Sequence, residues 1–349
     1  MINGSLAHKK AIQVAVAVLK YTKNEQEKFL LAVRQAWQHQ GGKIEFVGGK
    51  IELDETPQSA LIREVNEELG LDISRNNITK MGRIHHDYGD KSVCLHVYQV
   101  LLDDSQYLNF KDKKFGLDGQ MIGFFDKEYV SSQKSSFPVA NVPIFSWLGL
   151  PDMLFVSHRL DFFNNKTDWL DFYENLPKNC TLLMRTHADD ANIELMSKLA
   201  MRRDDLRFIV SLKDLTHGMI NDLNGMMKKV MAVRLTQNEL MALDLTQFLG
   251  KMHSMSLSNL PIIASCHDEL SIKKANDLAS IHTVMAILLS PVLPTQTHLQ
   301  APVLGWNGFC ELSNLANMPV VALGGLTPND LNVAQRHGGL AVAGIRGFV

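Results

Sequence analysis

Residues 49–71 read GKIELDETPQSALIREVNEELGL, and this stretch decides how the first part of the chain folds. Thr56-Pro57 offers a capping hydroxyl followed by proline at the first helical position, where the absent N–H would have had no partner anyway. Gly70 stops the apolar-periodic run as a C-cap. The spacing therefore predicts a helix from Thr56 to Leu69. On it, Glu64, Glu67 and Glu68 stand at i, i+3 and i+4 and share one face. Three carboxylates so placed repel one another unless a cation joins them. Taken alone, they read as a solvated acidic face. Gly48-Gly49, just ahead of the helix, lets backbone approach a metal or a phosphate closely, and it is with the whole residue pattern over 49–71 in place that the carboxylates read as a metal site. Hard oxygen ligands of this kind suit Mg²⁺, or Mn²⁺, held by few protein carboxylates together with substrate phosphates.

Outward from this helix, residues 11–19 form a β-branched apolar run and predict a strand. A polar turn over 21–28 leads to a second strand over 29–34. Residues 35–43 are polar and glycine-rich, hence a loop. Short strands are expected at 44–47 and 93–102, and this mixed α/β unit ends near Leu148. Beyond Pro151 the rhythm changes. Apolar strands at 153–156, 181–184, 208–212, 230–235, 261–265, 283–289, 320–323 and 340–345 alternate with helical segments. The alternation fits a doubly wound sheet as well as a barrel. The count of eight favours a parallel (β/α)₈ TIM barrel. The fold class is α/β, with one domain over 1–150 and another over 151–349.

Composition narrows the function. The chain has 349 residues, too many for one ordinary core. Its net charge of −2 supplies no global basic field for a nucleic acid polymer, so a nucleotide site must be a local pocket. No apolar run reaches the roughly 20 residues that span a bilayer. Residues 1–10 lack the order of a signal peptide. Cys94, Cys180, Cys266 and Cys310 are too scattered for a metal motif and read as reduced thiols. These features predict a cytoplasmic protein without membrane partners.

Residues 49–71 fit G-x₅-E-x₇-R-E-U-x-E-E-x-G-U, with U a bulky aliphatic, at Gly49, Glu55, Arg63, Glu64, Val65, Glu67, Glu68, Gly70 and Leu71. The chain thereby resembles the Nudix hydrolases, which implies an α/β/α sandwich with a mixed sheet. Their metal site would be carried here by Gly48, Glu64, Glu67 and Glu68. Arg63 joins this catalytic set by orienting Glu55 or another carboxylate. The run Ile44-Glu45-Phe46-Val47-Gly48-Gly49-Lys50-Ile51-Glu52 and the segment FPVANVP over 137–143 are similar to those of MutT 8-oxo-dGTP diphosphatases. That resemblance implies Asn141 as reader of an oxidised guanine and Arg34 near the phosphate or sugar. Phe46 would line the base pocket, with Gly49 and Lys50 beside the substrate. Val47 replaces the usual proline. Gln120 stands where the family has a further glutamate, with Asp118 nearby, so the identity of the general base stays open among Asp118, Glu64 and Glu68.

In the second domain, SPVLPTQTH over 290–298 and VVALGGLTP over 320–328 resemble the thiamine phosphate synthase/TenI family. The resemblance implies a phosphate site at Thr295, Thr297, Gly324 and Gly325, and Ser265 matches a further family position. The catalytic positions are eroded. The family's Q-x-R-x-K is here Leu183-Met184-Arg185-Thr186-His187. Its metal-binding aspartate is replaced around Ser211-Leu212-Lys213, while Glu239 matches its second acidic ligand. The expected barrel holds a thiamine phosphate-like ligand and has lost synthase chemistry.

The leading expectation is therefore Mg²⁺-dependent hydrolysis of purine nucleoside triphosphates, 8-oxo-dGTP in type, to monophosphate and pyrophosphate. One alternative is a bifunctional thiamine-pathway enzyme with both domains active. Another is a ligand-binding sensor or scaffold without turnover.

Overall fold

The computed structural model describes residues 11–187, 189–216, 226–295 and 302–348. The chain divides into two compact units, Met1–Phe145 and Ser146–Val349. The division falls five residues before the composition change at Pro151, inside the short helix Val142–Leu148.

The first unit is built on a seven-stranded mixed sheet. Its strands are β1 (Ile12–Lys23), β2 (Gln26–Val33), β3 (Ile44–Glu45), β4 (Val47–Lys50), β5 (Asn77–Asp87), β6 (Ser92–Leu102) and β7 (Ile122–Asp126). The order β3-β2-β1-β6-β5 is extended by β4 on β1 and β7 on β2. Only β1 and β6 run parallel. The polar turn expected over 21–28 shrinks to Asn24 and Glu25, both with positive φ, in a two-residue hairpin. Strand structure persists through Tyr21 because its ring is buried, stacked 4.0 Å from Tyr107 and hydrogen-bonded to Asp104. The expected strand over 44–47 is two strands, since the chain changes partner at Phe46: β3 pairs β2, and β4 pairs β1. Gly48 lies within β4 with φ 156°, and a Cβ there would stand 2.0 Å from the Ala15 carbonyl oxygen. Here glycine lets two strands meet at normal spacing.

Helix α1 (Pro57–Leu69) follows the caps in its sequence. Thr56 and Ser59 exchange side chain-to-backbone hydrogen bonds, and Gly70 closes the helix at φ 67°. Ala60, Leu61, Val65 and Leu69 are buried and join a core with Ala15, Ala17 and Leu19 of β1 and Val47 of β4. Burying that stripe leaves the glutamate face turned toward the edge of the sheet.

The second unit is a closed barrel of parallel strands: β8 (Met153–Val156), β9 (Thr181–Leu183), β10 (Arg207–Ser211), β11 (Val230–Leu235), β12 (Ile262–Cys266), β13 (Val284–Leu289), β14 (Val320–Leu323) and β15 (Ala341–Gly344). Closure occurs between β15 and β8, with Val342 opposite Met153. Near-continuous apolar strands are what a sheet buried on both faces requires. Among the described residues, no helix is long and apolar enough to cross a membrane. All four cysteines are free.

Candidate active site

In the first unit, α1, β4 and the loop after β2 wall a cleft of about 760 Å³. Glu64, Glu67, Glu68, Gly48, Gly49, Lys50, Arg34, Phe46 and Asn141 all line it, as do Asp118 and Gln120. Arg63 does not. It lies behind the carboxylates and holds them. Its Nε and one terminal nitrogen grip both oxygens of Glu55 at 2.9 Å. The other terminal nitrogen donates to Glu64 at 2.8 Å and to Glu67 at 2.9 Å. A last bond at 2.9 Å reaches the Lys50 carbonyl and ties the helix to β4. The planar fork of arginine suits this task, which a lysine's point charge could not perform.

The remaining carboxylate is in a different state. Burial, followed by the charges of Glu45, Glu64 and Asp118, pushes the Glu68 carboxyl up to about 8. Gln120 is 5% exposed, and its amide donates to the Glu68 carbonyl at 3.2 Å and reaches a Glu68 carboxylate oxygen at 3.5 Å. The neutral amide spares Glu68 a further negative neighbour. Asp118 is exposed, and its carbonyl accepts from Gln35 at 2.8 Å. Glu64 is also raised, chiefly by burial, with Arg63 opposing. Arg34 forms an ion pair with Glu45 and donates to the His39 carbonyl at 2.9 Å.

At the far end, Phe46 packs against Phe137 and Phe145, with ring centroids 5.3 and 6.4 Å away. It serves as core and as cleft wall together. Asn141 is 7% exposed, and its amide makes no hydrogen bond within the described residues. Two aromatic wall residues were not read from the sequence. Trp37 is 80% exposed at the rim, and Tyr88 comes from the turn after β5. Trp37 was legible only as part of a polar loop, and Tyr88 reaches the cleft through tertiary folding alone.

Among the described residues, no three His, Cys, Asp or Glu side chains already stand in ligating geometry. The cause is local: Arg63 engages Glu64 and Glu67, while Glu68 turns to Gln120. The donor set still fits a hard divalent cation. It is all oxygen, it carries more negative charge than Arg63 balances, and a Cβ on Gly49 would lie 2.2 Å from the Glu64 carboxyl carbon. Only glycine leaves that approach open. Glu64, Glu67, Glu68 and the backbone at Gly48 are the groups that could hold the ion.

In the barrel, Gly324 (φ 104°) and Gly325 (φ 69°) pack under the segment after β13. Cβ atoms there would stand 2.9 Å from Pro291 Cα and 2.5 Å from the Pro294 carbonyl oxygen. Val292 and Leu293 donate to Leu323 and Gly324 at 3.0 Å. These glycines thus join two loops at the C-terminal ends of β13 and β14. Thr295 is half-buried in that segment, and Thr297 lies outside the described residues. Glu239 accepts from Thr236 N and Oγ1, both at 2.8 Å, in a capping box. One carboxylate escaped the sequence reading. Asp214, 3% exposed, accepts from Asn192 and from the Ser211 N–H at 3.1 Å.

A family model described as NUDIX domain matches residues 11–116. The 8-oxo-dGTP diphosphatase of Proteus vulgaris is 36% identical over 92 residues, which cover 26% of this chain and 78% of that protein. The chain belongs to the Nudix family. The 8-oxo-dGTP diphosphatase of Escherichia coli (strain K12) is 29% identical over 139 residues, 40% of this chain and 97% of that protein. A second model, described as Thiamine monophosphate synthase, matches residues 219–348. The thiamine-phosphate synthase of Methanococcus vannielii is 43% identical over 58 residues, 17% of this chain but only 28% of that protein. The Nudix domain is thus followed by a barrel that is similar to this second model over residues 219–348. The barrel match spans under a third of that relative.

Two outcomes follow from the Nudix site. Glu64→Gln and Glu68→Gln each remove a carboxylate from the cleft without emptying the core, so kcat should fall at least about 100-fold while the variants still fold. Turnover close to that of the parent in both variants at saturating Mg²⁺ would remove the helix from the reaction.

The second concerns pH. In metal-free protein Glu68 titrates near 8, against 4.5 ordinarily. Between those values the native state keeps a proton that the unfolded chain has lost, so stability falls as pH rises through this window. Chemical denaturation in EDTA at several pH values should show that fall, and Glu68→Gln should flatten it. An identical slope in the variant would reassign the proton.

Proposed function

We propose that this Nudix pyrophosphohydrolase acts on purine nucleoside triphosphates, with an oxidised guanine nucleotide of the 8-oxo-dGTP type preferred. The products would be a nucleoside monophosphate and pyrophosphate. One observation carries the reading: a single cleft is lined by the carboxylate helix, by the Phe46 ring and by Asn141, a buried amide with no hydrogen-bond partner among the described residues. An amide both donates and accepts, so it can read the edge of a base. The aromatic wall excludes water from that contact, and Trp37 and Tyr88 offer rings at the rim.

The other groups divide the remaining work. Arg63 fixes Glu55, Glu64 and Glu67 so that little reorganisation is needed when phosphate arrives. Arg34, anchored by Glu45, presents a cation to the cleft. Glu68 is more sheltered than the exposed Asp118 and holds its proton toward neutral pH; a cation bound beside it would release that proton and leave the carboxylate able to accept one from the attacking water. A bound Mg²⁺ or Mn²⁺ would neutralise phosphate charge and acidify the attacking water.

Asn141→Ala should lower kcat/KM for 8-oxo-dGTP more than for dGTP, by about 1–3 kcal/mol. Measured side by side, equal losses would reduce Asn141 to a wall residue. Attack at the β-phosphorus should place the label from ¹⁸O-water in pyrophosphate. Label in the monophosphate would mean attack at the α-phosphorus.

A further inference from the structure

The thiamine phosphate synthase resemblance implies a divalent cation at the barrel mouth, held by carboxylates. The residues present do not fit one. Asp214 spends its oxygens on Asn192 and the Ser211 N–H, and Glu239 caps a helix through Thr236. Both are committed to backbone geometry at helix starts. What the mouth holds instead is cationic.

Arg234 is the penultimate residue of β11, beside Ser211 of β10 and Ile263 of β12. Its Nε is buried and has no hydrogen-bond partner among the described residues. Burial first, and then the Arg185 charge, lower its pKa to about 10, with Glu239 and Asp214 opposing. Arg185 follows β9, one strand beyond β10, so the two arginines start about 10 Å apart at the C-terminal end of the barrel. The Arg185 Nε donates to His187 Nε2 at 3.1 Å. Burial and the guanidinium charges lower the His187 pKa, which keeps its ring neutral and able to accept. His187 holds φ 59°, a left-handed conformation uncommon for a side chain of this size, and from it aims Arg185.

A buried guanidinium whose Nε lacks a partner, and whose nearby carboxylates Glu239 and Asp214 are bonded elsewhere, is unfavourable unless something supplies an anion. In these barrels ligands sit at the C-terminal ends of the strands. We propose that the barrel mouth binds a phosphate-bearing anion directly through Arg234 and Arg185, with guanidinium groups in place of a metal ion. His187 is a positioning residue for Arg185. Planar forks match phosphate oxygens in pairs, so the site suits a phosphate or diphosphate ester better than a carboxylate.

The probe is inorganic pyrophosphate, titrated by calorimetry into the full chain in EDTA. The chain carries Glu64→Gln and Glu68→Gln to silence the Nudix cleft. One site should bind, and adding Arg234→Met or Arg185→Met should weaken it about 10- to 100-fold. Without pyrophosphate, Arg234→Met should unfold at or above the temperature of its parent, because a buried unpaired charge has gone. With pyrophosphate it should lose the stabilisation that the parent gains. In a chain with the native Nudix helix, Arg234→Met should leave nucleotide hydrolysis unchanged, so this test stands apart from the assignment of the hydrolase. Binding that requires Mg²⁺, binding indifferent to Arg234→Met, or a lower unfolding temperature of that variant without anion would each overturn the proposal.

Discussion

The hydrolase unit depends on where one guanidinium sits. Arg63 satisfies five acceptor contacts, to three glutamates and one backbone carbonyl. Helix α1 needs its apolar stripe against the sheet, and that rotation crowds the carboxylates onto one edge. Without Arg63 the crowding would be paid for in repulsion; with it, Glu55, Glu64 and Glu67 are spaced and the helix is fastened to β4. Glu68 lies outside the grip, and its pKa is raised by burial first and then by the charges of Glu45, Glu64 and Asp118. The same network explains why the carboxylates are not yet gathered as ligands: a cation entering the cleft competes with Arg63 for Glu64 and Glu67.

Most of this unit was legible because its signals are local. Thr56-Pro57 and Gly70 bound the helix, and the i, i+3, i+4 spacing of the glutamates fixes their face wherever the helix packs. Strand β5 was missed for an equally physical reason. Its alternation breaks at the register shift between Lys80 and Gly82 and again at His85-His86, so no period of two survives to be read. The turn before β2 was overextended because Tyr21 looks polar in sequence and becomes core only through Tyr107. The roles of Gln120 and Tyr88 rest on neighbours distant in the chain.

The barrel was legible as a count of apolar strands, because parallel strands buried on both faces leave an unmistakable rhythm. Its chemistry was less so. The loss of an aspartate around Ser211-Leu212-Lys213 is visible in sequence, but Asp214, one residue on, is buried and already bonded to Asn192. A carboxylate in the right neighbourhood is therefore not a ligand when its lone pairs are spent. Gly324-Gly325 teaches the complementary point. Their positive φ values and the contacts with Pro291 and Pro294 are accounted for by loop packing, whatever else the loop holds.

The two units reach unbalanced charge from opposite directions. Around Glu68 the excess is negative, and a carboxyl responds by holding its proton toward neutral pH. Around Arg234 the excess is positive, but arginine has no comparable escape, since even a pKa near 10 leaves it charged at neutrality. The imbalance at Glu68 can thus be relieved by a proton or by a cation. That at Arg234 can be relieved only by an anion or by water. This asymmetry is why a silent Glu68 would be compatible with a resting, protonated site, whereas Arg234 keeps a standing demand for a counter-ion at a mouth where Asp214 and Glu239 are already committed.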